Sequence, residues 1–575
     1  MATIRAKLVS SGLPFNYKEL TGATIIPVPG DLQALAGAEA IADDTSQAYF
    51  LQNVLPIQRG YSSVHFTKAV GIHTYPVYMD DLFQLRDDLG NVALFSPTKG
   101  KCLVYSKDTG EWVAYPIPAY PTTAQVTTAY LRGVTYICFA GIGLYKYDFD
   151  TQQIVTLTTA GLLTSAVQGI LASSGYLIAY TTQEVAYSNP LNPLDFVPVL
   201  GGAGSSGILA NRGDIVVALT LSDGFIVYTT HNAVAARYTN NPNVPFAYNE
   251  IPNSAGVSSP RHVAYQGTAA QQLAWTSAGF MLVSFKQAQF VWPELSDSVA
   301  AGIYTTLGYN ESPMLVHATE LEVRIAAVGG RYYTVSLRNA NTDPNEYKFA
   351  YVYDLALDRW GRIDIAHVAF FEYSKPEFVA DLTYAQLGDQ TYEQLGDLTY
   401  AQLVSQIVDK TAHFGTTLGC VNALGAVHIA LSPQVANLDN LESDTSGAAT
   451  PKIVLGRYRM IRPDAVMLTK VVTNSLAADF APTVTAIGHA QDGESIKKVP
   501  LSKLANYSAA YVGRVNGAFV SVSVEGRFQL SLLELELTGN GTYMPPRQAT
   551  GVQIPANVVT VEGIPVTVGG EYATT

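Results

Sequence analysis

The feature that most constrains this chain is a set of internal repeats built from short runs in which apolar and polar residues alternate. Alternation with period two puts one side of a strand in a core and the other in water, which is the pattern of sheets and not of long helices. Lys101-Cys-Leu-Val-Tyr-Ser, Gly330-Arg-Tyr-Tyr-Thr-Val-Ser-Leu and Gly517-Ala-Phe-Val-Ser-Val-Ser-Val show it, with Gly, Asn, Asp and Pro between such runs. Helical spacing is best developed at 31–43 and 400–408. In one repeat an aromatic residue is followed seven positions later by a large apolar one across a polar turn: Tyr105 to Trp112, Tyr147 to Ile154, Tyr353 to Trp360. Each of these reads as a hairpin. In the other, a Gly-aromatic pair opens a strand at Gly175-Tyr, Gly224-Phe and Gly279-Phe, with spacings of 49 and 55 residues. Periods of ~40–50 residues without helices are the mark of propeller blades, four-stranded sheets that bury their faces only against neighbouring blades.

The expectation is therefore a mainly β chain. A degenerate β-propeller is expected over 61–375. An additional antiparallel β domain is expected over 411–575, either self-contained or completed by the N-terminal segment 1–60. Between the two, at 376–410, lies a third repeat of period eight: Asp381-Leu-Thr-Tyr-Ala-Gln-Leu-Gly, Asp389-Gln-Thr-Tyr-Glu-Gln-Leu-Gly and Asp397-Leu-Thr-Tyr-Ala-Gln-Leu. Thr383, Thr391 and Thr399 are placed to cap short helical turns that Gly388 and Gly396 would end. This strip reads either as a structured linker or as a docking strip anchored by Tyr384, Tyr392 and Tyr400, since tyrosine offers large contact area at low rotamer cost.

Composition narrows the class. Charged residues make up only 14% of the chain and hydrophobic ones 48%, where ~25% charged is usual. Disorder needs the opposite balance. No run approaches the ~18 apolar residues of a membrane-spanning helix, and the first residues hold no signal-type apolar core. Low charge with 35 Tyr and 21 Phe suits extensive subunit interfaces as well as a β-rich core. The net charge of −13 argues against general nucleic-acid binding, which shows a basic footprint. Cys102, Cys138 and Cys420 are odd in number and unpaired in spacing, so neither a disulfide framework nor a zinc site is expected.

Chemistry-bearing patterns are thin. Gly202-Ala-Gly-Ser-Ser-Gly207 matches a dinucleotide fingerprint, but it lacks the strand before and helix after that bring phosphate to a helix N-terminus. Ser106-Lys-Asp-Thr-Gly-Glu-Trp112 is one residue short of a sialidase-type Asp-box, itself a structural turn. The nine histidines are scattered, without a metal-binding pair. Asp439, Glu442 and Asp444 lack the glycine and terminal Glu of a calcium loop. Arg457 and Arg459 share one strand face and are candidates for phosphate contact or inter-subunit pairing. No catalytic residue, cofactor or metal is expected.

Taken in order, several segments resemble the tail nozzle (tail tubular protein B) proteins of short-tailed bacteriophages. They are Leu55-Pro-Ile-Gln-Arg-Gly-Tyr-Ser, Val185-Ala-Tyr-Ser-Asn-Pro-Leu-Asn-Pro-Leu-Asp-Phe and Leu200-Gly-Gly-Ala-Gly-Ser-Ser. Gly224-Phe-Ile-Val-Tyr-Thr-Thr-His-Asn, Ile251-Pro-Asn-Ser-Ala-Gly-Val-Ser-Ser and the octads complete the set. The resemblance implies a structural virion protein assembled in the host cytoplasm, a homo-hexameric tube in the virion tail below the portal and adaptor. Segment 1–60 would contact the adaptor, tail fibres or spikes would be further partners, and genomic DNA would pass through the lumen without tight binding. Stable membrane insertion is not expected. Arg457 and Arg459 would then be lumenal or inter-subunit. The alternative, carried by the near Asp-box and the aromatic content, is a propeller that binds or hydrolyses host glycans.

Overall fold

The predicted hairpins close on the register their repeat implies. Tyr105 lies directly opposite Trp112, Tyr147 opposite Ile154 and Tyr353 opposite Trp360. Their rings or side chains therefore stack on one face of a pleated pair, the unit of sheet stabilisation. The Tyr105 and Trp112 ring centroids are 5.3 Å apart, and those of Tyr353 and Trp360 4.9 Å. These observations come from a computed structural model, which describes residues 3–7, most of 48–539, 557–561 and 564–568. The main stretches outside the described residues are 8–47, 67–80, 373–417, 432–448 and 540–556.

Seven four-stranded antiparallel sheets form the blades of a propeller. Blades 1 to 5 span 83–116, 126–157, 169–207, 215–250 and 263–290, and blade 6 spans 321–363. Blade 7 is composite: Ala369–Glu372, Leu418–Val421 and Val427–Leu431 are joined by His65–Phe66 from the N-terminal part of the chain. The outer strand of the last blade thus comes from before the first blade, so chain order itself locks the ring. Blades 7 and 1 share a core that includes Leu82, Trp112, Val368, Phe371 and Val421.

The second domain is a sandwich. One sheet runs Ala48–Gln52, Lys452–Tyr458, Phe519–Glu525, Thr483–His489, Ser495–Pro500. The other contains Gln529–Gly539, Val466–Ser475 and Ala510–Gly517, with Thr3–Lys7 on the first of these. This second sheet is continuous with blade 6: the outer strand Arg359–Ile363 meets Val54–Ile57, whose hairpin partner Gly60–Ser63 pairs with Gln529–Gly539. One core accordingly runs from Phe280, Val323 and Tyr333 of blades 5 and 6 through Leu51, Val54 and Tyr61 into Leu455, Val484 and Val522 of the sandwich.

Three expectations change. The propeller does not end at 375, because blade 7 takes strands up to Leu431, and residues 61–63 belong to the hairpin that joins the domains. The strip at 376–410 therefore does not separate two domains. It lies within 373–417, inserted between adjacent strands of blade 7 where Glu372 stands opposite Leu418. Loop-closure entropy rises only slowly with length, so one ladder tolerates such an insertion, and alternation alone cannot show which strands pair across it. The N-terminal segment, where it is described, completes the sandwich, which is the second of the two alternatives expected for that domain. The Gly-aromatic repeat opens second strands at Gly175 and Gly224 but the third strand of blade 5 at Gly279, because blade 5 begins with the short strand Val263–Tyr265. The expected helical segments 31–43 and 400–408 fall outside the described residues. Pro293–Ala300 is an α-helix that alternation did not reveal; Pro293 at its first turn followed by Glu294 was the local signal.

Candidate functional site

The first strands of the blades surround a central cavity of 790 Å³, lined among others by Gln125 to Tyr130, Ile170 to Ala172, Val217 to Thr220 and Arg324 to Ala327. Polar side chains around this channel are engaged between blades. Thr135 Oγ1 accepts from the Arg86 amide at 2.9 Å and donates to the Arg86 carbonyl at 2.7 Å, joining blades 1 and 2. Thr127 Oγ1 accepts from the Ile170 amide at 2.8 Å, joining blades 2 and 3. Thr220 donates to the Ala172 carbonyl at 2.7 Å, and Gln272 Nε2 reaches the Thr220 carbonyl at 2.8 Å. Tyr333 donates to the Gln271 carbonyl at 3.1 Å, tying blade 6 to blade 5. Trp112 Nε1 donates to the Gly425 carbonyl at 2.7 Å, tying blade 1 to blade 7. Blade faces are otherwise largely apolar and packed against one another; these directional bonds add specific links between them.

One mouth of the channel carries an ion cluster. Asp81, just before blade 1, pairs with Arg324 of blade 6, and Arg261 Nε lies 3.7 Å from the same carboxylate. Arg324 also donates to the Val368 carbonyl of blade 7 at 3.2 Å. Burial alone would raise the Asp81 carboxyl, but Arg324, Arg261 and the Leu82 amide outweigh it and hold its pKa below the usual carboxylate range. Close by, burial lowers His262 to about 4 against the opposing pull of Glu322. The cluster bridges blades 1, 5, 6 and 7, so its first role is to clamp the seam at which the ring closes.

A second polar centre sits where the propeller meets the sandwich. Asn53, in the left-handed region at φ 50°, accepts from the Asp364 amide at 2.7 Å and donates to the Asp364 carbonyl at 3.3 Å and the Ala449 carbonyl at 2.5 Å. Arg362 makes a forked pair with Asp364, at 3.0 and 2.6 Å to Oδ1. Its guanidinium lies over the rings of Phe349 at 4.4 Å and Phe50 at 5.0 Å. Burial raises the Asp364 carboxyl despite that partner.

The residues singled out from sequence are not gathered into one site. Arg457 lies in the sandwich strand Lys452–Tyr458, away from the propeller channel. Arg459, Tyr384, Tyr392 and Tyr400, with Asp439, Glu442 and Asp444, lie outside the described residues. Gly204–Gly207 is the outer strand of blade 3, so the glycine motif opens no helix. The near Asp-box spans the turn between Lys101–Ser106 and Glu111–Pro116, with Trp112 buried at the ring seam. All three cysteines are buried, and none forms a disulfide. Among the described residues no group of three or more His, Cys, Asp or Glu is placed to hold a metal ion, and no helix is long and apolar enough to cross a membrane. Asp81, Arg324, Asn53 and Arg362 were not legible beforehand. Asp81, Arg324 and Asn53 have partners far off in the chain, while Arg362 pairs with nearby Asp364 but lies over the ring of Phe50, which is distant in sequence.

No family model matches the sequence, and no curated protein matches it either. Similar solved structures include BamB from Moraxella catarrhalis (9% identity, 66% of this chain and 93% of that one, TM-score 0.33). YCF48 from Cyanidioschyzon merolae has 9% identity over 65% of this chain and 100% of its own, with a TM-score of 0.34. Raptor from Chaetomium thermophilum has 8% identity over 66% of this chain and 29% of its own, with a TM-score of 0.36. The propeller assignment rests on the sheet order of this chain itself.

Proposed function

We propose that this chain is a structural subunit of a short-tailed bacteriophage tail, the nozzle, of which six copies form a tube below the adaptor for passage of the genome. The observation that carries the reading is the ordered series of nozzle-like segments. Support comes from where they fall. Leu55 to Ser62 makes the hairpin that joins propeller and sandwich. Segments 185–196 and 200–206 make most of the last two strands of blade 3 and of the nearly uncharged loop between them, on which Leu191 and Leu200 are exposed. The octads belong to the insertion in blade 7. A propeller whose channel hydroxyls and mouth charges hold blades together is built to be a rigid part. Negative-stain images of the purified protein, alone and with adaptor and portal, are expected to show a sixfold tube. A particle that stays monomeric with both partners present overturns the proposal. Turnover of any member of a chromogenic glycoside panel would instead favour the glycan-directed reading.

A further inference from the structure

The end of the propeller at which the first strands finish is a continuous surface that can be traced contact by contact. Arg86, ending the first strand of blade 1, lies 3.9 Å from Glu372, ending the first strand of blade 7. Tyr130 of blade 2 donates to the Asp87 carbonyl at 3.2 Å. Arg132, in the next turn, donates to the carbonyls of Pro190 and Leu191 in blade 3. Gly201 of that same loop faces Asn243 in the loop of blade 4. On this one face lie Leu89 (79% exposed), Leu191 (84%), Leu200 (86%), Val199 (60%) and Val244 (56%), five of the eleven large apolar side chains left exposed among the described residues.

Scattered exposed leucines need no explanation, but a contiguous patch does. The loop that presents Leu191 and Leu200 is held in place: Leu191 N donates to Asn189 Oδ1 at 2.9 Å, Val197 N to Asp195 Oδ1 at 3.1 Å and Val199 N to the Ala203 carbonyl at 3.0 Å. Residues 188–203 contain one charged side chain, Asp195, and it is engaged in that turn. This loop of blade 3 is rich in apolar residues, nearly uncharged and preorganised, the combination that favours a covered interface core, and charged Arg86, Asp87, Arg132 and Glu372 lie around it on the same face.

The octad insertion leaves and returns on this face, since Glu372 and Leu418 are opposite each other at its end. Residues 373–380 precede the first octad, and an extended chain spans about 3.3–3.6 Å per residue, enough to carry the strip from blade 7 past blade 1. The strip repeats Tyr and Leu three apart, at Tyr384/Leu387, Tyr392/Leu395 and Tyr400/Leu403, and residues at that spacing share one side of a helical turn. We propose that the octad strip 381–403 docks on this face of its own propeller, over Leu89 of blade 1 and the apolar residues of the blade 3 and blade 4 loops, with the tyrosines and leucines as anchors. This does not rest on the nozzle reading.

The test uses the full chain. A photo-crosslinking p-benzoylphenylalanine at position 392 is expected to give, on irradiation, a crosslinked peptide from 189–200 within a monomer-sized band. Hydrogen exchange of 381–403 is expected to speed at least tenfold in the Leu191→Asp/Leu200→Asp double variant, with exchange in Gly224–Thr229 unchanged as the fold control. Crosslinks only between chains, crosslinks only to the sandwich, or equal exchange of the strip in both proteins would overturn the proposal.

Discussion

At the scale of single residues, Asn53 does more than any neighbour to hold the two domains in register. Its amide group serves the backbone of Asp364 in blade 6 and of Ala449 beside the sandwich, and its own carbonyl accepts from Val64 at 2.7 Å. Asn53→Ala would leave buried backbone groups unpaired, at ~1–3 kcal/mol each, and would put Ala where asparagine tolerates a left-handed backbone. A loss of about 3 kcal/mol or more is expected, read as a lower urea midpoint; Asn53→Asp should recover part of it. The repeated glycines illustrate a second point. Gly175 sits at φ +84°, in an open turn, while a Cβ at Gly224 would lie 2.1 Å from the Ala236 carbonyl oxygen of the adjacent strand. Gly224→Ala should therefore displace backbone and lower the thermal midpoint of the propeller by several degrees. Gly175→Ala meets no atom within 4 Å, so its cost is conformational only and should be smaller.

At the scale of elements, blade 7 is the part on which the ring depends, and it holds a half-buried histidine, His65, with a buried one, His367, just before its first strand. His65 lies in its N-terminal strand, with Ser63 Oγ 3.1 Å from Nε2. His367 precedes its first strand, with Nδ1 donating to the Ile365 carbonyl at 2.7 Å and Nε2 accepting from Ser336 at 2.8 Å. Burial, with Arg527 adding repulsion, lowers His65 to about 4. Burial lowers His367 to about 3, opposed by the Ile365 carbonyl and aided by Arg324. An unfolded histidine titrates near 6.5, so below that value the unfolded chain binds more protons than the folded one. Stability is full above about pH 6.5 and falls as pH drops toward 4, by roughly 1.4 kcal/mol per histidine per pH unit. Urea midpoints between pH 7 and pH 5 should show this decline, and His367→Gln should make it shallower. An unchanged slope would mean that His367 is not among the groups responsible.

At the scale of the whole molecule, the net charge of −13 bears on how the protein meets DNA. Tight duplex binding requires many neutralised phosphates and shows a steep salt dependence, whereas an acidic wall repels phosphate only within a Debye length of ~8 Å. The isolated protein is expected not to retard duplex DNA at physiological salt in a gel-shift assay. A salt-sensitive shift at micromolar protein would contradict the conduit role in the proposed function. The sandwich, sharing a core with blades 5 and 6, should melt with them in calorimetry instead of as an independent unit.

The sequence alone determined the β class and the hairpin pairings, because a period-two pattern and a cross-strand pair are local properties that a few adjacent residues impose. Tyr105 opposite Trp112 needed no more than the turn between them. Only the tertiary structure decided which strands complete which sheet. His65–Phe66 closes a blade whose other strands lie more than three hundred residues on, and Val54 joins the edge of blade 6 to the sandwich. Nor could periodicity show that the octads interrupt a blade rather than follow the propeller. Strand edges are nearly alike in their hydrogen-bonding groups, so pairing between distant segments is chosen by the packing of the whole chain. For the same reason the polar residues that hold the molecule together, Asn53, Asp81 and Arg324, became recognisable only once their distant partners were in place.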